Sequence, residues 1–145
     1  MTSWTTLGEL LPWLRGQGVH LAAAGAELEL SRTLVAAGFT LARAGDERPG
    51  RFRSVTRALR LPDTAADNLD ALADSLRDLP ARWPDCQRLV LLVDADQLVR
   101  TDLLSWQQLS LVLGQATETL WQLAGLIFET VFLVPDGSFG ADAPH

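Results

Sequence analysis

The stretch that decides the fold is LPDTAADNLDALADSLRDL, residues 61–79, which predicts a turn followed by one short helix with two different faces. At about 100° per residue, leucines spaced by three and four residues fall on one side of this helix. Aspartates with similar spacing fall on nearly the opposite side. The leucines are Leu69, Leu72, Leu76 and Leu79, and the aspartates are Asp67, Asp70, Asp74 and Asp78. The helix therefore needs a core on one side and presents a row of like charge to water on the other.

Helix physics explains only part of this acidic row. Asp67 is predicted to cap the helix N-terminus, and Asp70 lies in the first turn, where the helix dipole favours a carboxylate. Asp74 and Asp78 have neither role, and like charges one turn apart repel each other. A fold tolerates such a row most readily where the charges serve a purpose.

Length and composition predict a single soluble domain. The chain has 145 residues, 48% of them hydrophobic, which is enough to bury a core without staples. Cys86 is the only cysteine, so no internal disulfide is possible, as expected in a reducing compartment. The longest apolar runs are too short to cross a bilayer, and the first residues show no secretory signal. We therefore expect a cytoplasmic protein that does not act at a membrane.

Charge is distributed unevenly along the chain. Residues 1–62 carry eight arginines against five acidic residues, a net +3, whereas residues 63–145 carry four arginines against thirteen, a net −9. Arg53, Arg57 and Arg60 are predicted to share one face of a helix, which is either a phosphate-binding patch or a solvated face. An acidic chain is poorly suited to nucleic acid, whose phosphates require Lys and Arg. The expected partner is a basic protein.

Strands that alternate with helices predict an α/β fold with a small, mainly parallel sheet packed by helices. The predicted strands are Val19–Ala23, 39–42, 89–93 and 130–134. The predicted helices are a short one that begins near Thr6, one at 26–37, one at 51–60, the acidic helix, and a long one from about Asp102. Residues 1–38 are expected to form an N-terminal extension packed on the same domain, residues 39–134 the domain itself, and residues 135–145 a flexible tail.

The deciding stretch resembles the signature of the barstar family, which are intracellular inhibitors of ribonucleases. The resemblance rests on a Leu-Pro turn, the run NLDAL at residues 68–72, then Asp74 and Leu76 at fixed offsets. It extends with decreasing precision over residues 39–134. It implies three parallel strands packed by helices, to which residues 1–38 add a strand and a helix. It also implies an immunity protein that is monomeric when free. The residues themselves predict no catalytic residue, cofactor or metal, because the sequence has no Cys and His cluster with metal-ligand spacing, no Gly-x-Ser-x-Gly motif and no phosphate loop.

The resemblance also implies which residues bind the partner. By position, Asp74 matches the family's dominant contact carboxylate, which enters the phosphate site of the nuclease, and Asp70 matches a second. Thr64 stands where a contact tyrosine is expected, Ala73 replaces a common tryptophan, and Arg77 replaces a small polar residue. The partner-binding residues are thus expected to be Asp70, Asp74, Thr64, Ala73 and Arg77, in an interface that differs from the family's because aromatic anchors are absent.

Two further departures concern the same surface. Ala65 and Ala66 replace an aromatic-glycine pair, and the acidic residue expected on the long helix falls near Gln115, with Glu118 one turn away. The predicted function is therefore inhibition of a ribonuclease. The inhibitor occludes the basic cleft of the enzyme. An interaction module with a non-nuclease partner is the first alternative.

A second alternative is a small phosphotransfer enzyme. Asp94 and Asp96 follow an apolar strand, in the manner of carboxylates that bind magnesium and attack a phosphoryl group. Gln97 and Leu98 depart from that motif, however, and the chain has no lysine to help bind a phosphate. We therefore interpret the pair as loop carboxylates, and the protein as a non-enzyme.

Overall fold

The computed structural model describes residues 18–46 and 52–135, which form four strands, six α-helices and two 3-10 turns. The strands are β1 (Val19–Ala23), β2 (Thr40–Asp46), β3 (Arg88–Asp94) and β4 (Ile127–Val134). The helices are α1 (Glu27–Ala36), α2 (Arg53–Ala58), α3 (Leu69–Leu76), α4 (Leu79–Arg82), α5 (Asp96–Thr101) and α6 (Leu103–Ala124), and the 3-10 turns are Ala24–Ala26 and Asp63–Ala66. None of these helices combines the length and apolar character that a bilayer crossing requires.

The strands form one sheet in the order β1-β4-β3-β2, and every neighbouring pair is parallel. The two central strands, β3 and β4, are the most buried strands of the sheet. All eight residues of β4 and the five inner residues of β3 are buried. Strands covered on both faces carry continuous apolar runs because neither face meets water. The predicted α/β fold with a parallel sheet is confirmed.

Helices cover the sheet on both faces. Helix α1 packs Leu30 and Leu34 against one face, where they meet Val90 and Val131. Helices α2, α3 and α6 cover the other face around Phe128 and form the larger core. Helices α3 and α6 also contact each other directly. The acidic helix therefore packs directly against the longest helix, and its buried leucines belong to the larger core.

Strand β1 joins the sheet at its edge, next to β4. The amide of Thr130 donates to the Gly18 carbonyl at 2.9 Å, and Nε2 of His20 lies 3.7 Å from Oε2 of Glu129, with both side chains buried. Gly18 has a φ of 76°, and a Cβ there would lie 2.8 Å from Oγ1 of Thr117. This corner admits only glycine without a local shift.

Several predicted boundaries moved. The strand predicted at 39–42 extends to Asp46, and the helix predicted at 51–60 is limited to Arg53–Ala58. Residues 80–87, predicted as a loop, begin with most of α4, which tolerates Pro80 because the first helical turn needs no amide donor. The helix predicted near Thr6 and the tail beyond Pro135 lie outside the described residues.

The predicted cap was wrong by one residue. Asn68, not Asp67, is the N-cap of α3, and its Oδ1 accepts a hydrogen bond from the Ala71 amide at 2.8 Å. The backbone decides this, because an N-cap residue is extended. Asn68 has φ −163° and ψ 173°, whereas Asp67 is helical, with φ −70° and ψ −37°, where it ends the 3-10 turn.

Candidate partner-binding site

Helix α3 is oriented by its leucine side. Leu72 and Leu76 are buried in the same core as Leu113, Ala116 and Leu120 of α6. Burying one such side chain contributes about 1.5–3 kcal/mol, so these contacts decide which side of α3 faces outward. The two-faced pattern predicted from the sequence is confirmed for these two leucines.

The opposite side of α3 carries the acidic row, which we define as Asp67, Asp70, Asp74 and Asp78. All four side chains are exposed. The exposed ion pairs among the described residues lie elsewhere, between Glu27 and Arg43 and between Asp96 and Arg100. Within that part of the chain, the carboxylates of Asp70 and Asp74 make no hydrogen bond or ion pair. The fold therefore leaves them hydrated and available to a partner.

A cleft of about 340 Å³ opens between α2 and the 3-10 turn that precedes α3, and we call it the turn cleft. Thr64 and Ala66 line it, together with charged residues of both signs. The charged residues are Arg53 and Arg57 on α2, and Asp63 and Asp67 on the turn. Asp67 thus lines this cleft and is also the first residue of the acidic row. The cleft therefore lies beside the N-terminal end of the row.

A second depression, of about 70 Å³, runs between α3 and α6, and we call it the α3–α6 groove. Ala73 and Arg77 form its wall on α3, and Gln115 and Thr119 form part of its wall on α6. Ala73 is half-buried, and Arg77 and Gln115 are exposed. The small side chain of Ala73 leaves this space open, because a larger residue at that position would project into it.

The structure divides the predicted site residues into two places. Ala73 and Arg77 meet Gln115 at the groove, whereas Thr64 lies in the turn cleft. Asp70 and Asp74 flank Ala73 on α3, three residues before it and one after. Val112, a further lining residue of the groove, was missed by sequence reasoning, because its half-exposed position on α6 depends on how the two helices pack.

Trp83 fixes the elements on either side of α3. Its indole Nε1–H donates to the carbonyl of Leu59 at 2.9 Å, and the guanidinium carbon of Arg60 lies 3.7 Å from the centre of its ring. Leu59 directly follows α2 and Trp83 directly follows α4, so this contact joins the segments before and after the acidic helix. Buried hydrogen bonds of this kind limit the freedom of the surface that they support.

The carboxylates considered for phosphotransfer have local partners. Oδ1 of Asp94 accepts from the Asp96 amide at 3.4 Å, and Asp96 pairs with Arg100 on the next turn of α5 at 2.9 Å. Among the described residues, no three His, Cys, Asp or Glu side chains are placed to hold a metal ion together. What these two aspartates visibly do is organise the start of α5.

The carboxylate with the clearest structural task is Asp102. Its two oxygens accept from the amide and the hydroxyl of Ser105, at 3.0 and 2.6 Å. The hydrogen bond from the Ser105 hydroxyl, then the one from its amide, lowers the pKa of Asp102 below its usual range. Asp102 therefore differs from Asp70 and Asp74, since it stabilises the start of the long helix that forms one wall of the groove.

Comparison with protein families identifies the part of the chain that carries this surface. The family described as barstar (barnase inhibitor) matches residues 41–132, which is more than half of the chain. The match begins within β2 and takes in the turn cleft, the acidic row and the α3–α6 groove. Comparisons with curated proteins and with solved structures found no match. The resemblance noted in the sequence is confirmed, and the chain belongs to the barstar family.

Proposed function

We propose that this protein inhibits a ribonuclease by placing α3 in the basic cleft that binds RNA. Asp74 enters the phosphate site, and Asp70 contacts a second basic group of the cleft. The observation that carries the proposal is the acidic row, whose two central carboxylates have no partner among the described residues. The family supplies the class of partner, because its description is that of a barnase inhibitor.

Electrostatics supports this mechanism. A ribonuclease cleft is positively charged because it must hold phosphates, so a rigid row of carboxylates can replace the substrate there. Complementary charge raises the association rate and makes it fall with ionic strength. Inhibition then needs only occlusion, without a chemical step. Trp83 and the buried leucines of α3 support the rigidity that this mechanism requires.

The interface of this chain differs from the one that the family resemblance implies. Thr64 and Ala73 are too small to act as aromatic anchors, and Arg77 places a positive charge near the groove. An arginine there weakens attraction to a uniformly basic cleft and favours a nuclease with an acidic or neutral group at that point. We therefore propose a cognate ribonuclease that differs from barnase at the rim of its cleft.

The proposed setting follows from this role. An inhibitor that protects the cell from a ribonuclease made there acts in the cytoplasm. The free protein is proposed to be a monomer, because two copies that met through this face would oppose their acidic rows. These statements depend on the function and are tested with it.

The experiment is an inhibition titration against a panel of small basic ribonucleases that includes barnase. RNA cleavage is measured at low salt with wild type, Asp74→Ala and Asp85→Ala. Asp85 is exposed and lies in the loop before β3, outside α3 and the acidic row, so Asp85→Ala is the control for a change of one charge. Truncating one partner of a buried charge pair costs about 2–5 kcal/mol, a range established partly on the barnase–barstar complex.

We expect stoichiometric inhibition of at least one enzyme by wild type and by Asp85→Ala. Asp74→Ala should weaken that inhibition by about 30-fold or more. If no enzyme of the panel is inhibited, or if both variants behave alike, the proposal is wrong. The second candidate, a module that binds a non-nuclease protein, is favoured by Arg77 and the missing aromatic anchors. It predicts no inhibition and binding of a partner that remains sensitive to Asp74→Ala.

A further inference from the structure

Helix α6 exposes leucines beside the α3–α6 groove. Leu104 and Leu111 are 64% and 63% exposed, well above what is typical of leucine in a helix that covers a core. They lie seven residues apart, so they differ by only about 20° around the helix axis. Glu118 continues the same line seven residues further on and is also exposed. We call this side of α6 the leucine strip; the exposed Gln107 and Gln108 lie between its two leucines, and it ends in a carboxylate.

The strip borders the groove. Leu111 directly precedes Val112 and lies one turn before Gln115, and both of these line the groove. The groove itself has an apolar floor, because Leu76, Ala116 and Leu120 are 1%, 8% and 2% exposed. On the α6 wall, Val112 adds apolar surface to this floor beside the polar side chains of Gln115 and Thr119, and Leu111 lies just outside the wall.

The α3 wall of the groove is charged. Ala73 lies between the leucine side of α3 and the acidic row, with Asp70 three residues before it and Arg77 four residues after it. Across the surface, the order is the acidic row, the groove and the leucine strip. An apolar centre with a charged rim is the usual arrangement of a protein interface, in which a few buried apolar contacts carry most of the binding energy.

We propose that the ribonuclease partner inserts one apolar side chain, aromatic or branched aliphatic, into the α3–α6 groove and covers Leu111, while its basic residues meet Asp70 and Asp74. This inference rests on the proposed function and names the partner's contact chemistry. The apolar anchor of the interface then comes from the partner and packs beside Ala73. In this arrangement α6 provides the apolar part of the interface, and α3 provides the charge.

The charges beside the strip select this occupant over a second copy of the chain. In a symmetric dimer the same patch is used twice. Such a dimer would place two acidic rows, and the Glu118 carboxylates, along one contact. Like charges brought together in an interface oppose association. A basic partner turns the same carboxylates into favourable contacts, and on this rim only Arg77 opposes it.

A charge-adding substitution separates this proposal from attraction by charge alone. Leu111→Glu places a carboxylate within the strip. If only electrostatics mattered, it would leave binding of a basic enzyme unchanged or strengthen it. If Leu111 is covered by an apolar contact, it weakens binding. Leu123→Glu is the matched control, because Leu123 is 75% exposed near the other end of α6 and the change in net charge is the same.

Affinities are measured by calorimetry at low salt, with catalytically inactive forms of the ribonuclease panel as probes. We expect Leu111→Glu to weaken binding about tenfold or more, and Leu123→Glu to leave it unchanged or slightly stronger. Ala73→Trp, which fills the groove, should weaken binding as well. Circular dichroism and thermal unfolding establish that each variant is folded.

The outcomes distinguish a failure of this inference from a failure of the proposed function. If Asp74→Ala weakens binding but Leu111→Glu matches Leu123→Glu, the inference is overturned and the proposed function stands. If wild type binds no enzyme of the panel, the proposed function is refuted and the inference falls with it. Self-association of wild type that Leu111→Glu abolishes would also overturn the inference, since the strip would then be an interface between copies.

Discussion

Replacing Asp74 by alanine should stabilise the free protein even though it weakens binding. Asp74 lies in the last turn of α3 and is exposed, and its carboxylate makes no ion pair or hydrogen bond with a described residue. A carboxylate near a helix C-terminus is unfavourable with respect to the helix dipole. Asp70, four residues earlier, adds repulsion between like charges. The fold thus gives this residue no support, which is expected of a side chain kept for a partner.

The size of the effect can be worked out from separate contributions. Alanine exceeds aspartate in helix propensity by up to about 0.7 kcal/mol. Removing the Asp70–Asp74 repulsion contributes about 0.2–0.5 kcal/mol, and relief at the helix C-terminus contributes about 0.3–1 kcal/mol. Loss of a weak attraction to Arg77, three residues on, opposes these gains by about 0.2–0.5 kcal/mol. We expect Asp74→Ala to raise the free energy of unfolding by about 1 kcal/mol.

The assay is urea unfolding followed by circular dichroism at low salt, compared with the inhibition titration. Asp74→Asn removes the charge but not the propensity difference, so it should give about half of the gain. Asp85→Ala, in a loop, should leave stability within about 0.5 kcal/mol of wild type. A loss of stability in Asp74→Ala would refute the reasoning, because it would mean that the carboxylate serves the fold.

Two further predictions concern the scaffold. Asp102→Ala removes the side-chain N-cap of α6 and should lower the free energy of unfolding at pH 7. The folded-state pKa of Asp102 is lowered, so its contribution to the free energy of unfolding is fully present above the ordinary aspartate pKa. This contribution is lost as pH falls through the lowered pKa. The urea midpoints of wild type and variant should therefore converge in acid. Trp83→Phe removes the donor to the Leu59 carbonyl and should cost about 1–3 kcal/mol. A thermal unfolding midpoint equal to that of wild type would show that this bond does not hold the two segments together.

The sequence predicts the parts of this fold that depend on local periodicity. Strand Val19–Ala23 and the long helix from about Asp102 are predicted close to their observed bounds, and the continuous apolar run at 89–93 predicts β3 as a central strand. Strand β4 is predicted only from Thr130, three residues after its observed start. These signals are strong because burial on both sides, or on one side of a helix, repeats every two or every 3.6 residues. The helical period of about 3.6 residues likewise predicts that Leu72 and Leu76 lie in the core and that Asp74 lies outside it.

Features set by a single residue or by tertiary packing were not predicted. Asp67 and Asn68 are both good N-caps by type, and only the backbone conformation at this corner decides between them. The pairing of His20 with Glu129 depends on which strands become neighbours. The space beside Ala73 depends on the approach of α6, which no spacing within α3 reveals.

The most direct test of the central claim is competition with inorganic phosphate. If Asp74 occupies the phosphate site of the ribonuclease, phosphate and this protein exclude each other. With ionic strength held constant, the apparent Kd of wild type for the inhibited enzyme should rise linearly with phosphate concentration from its value without phosphate, and Asp74→Ala should lose most of this dependence. A wild-type Kd that does not change with phosphate would contradict the account, because the acidic row would then lie outside the site that holds RNA.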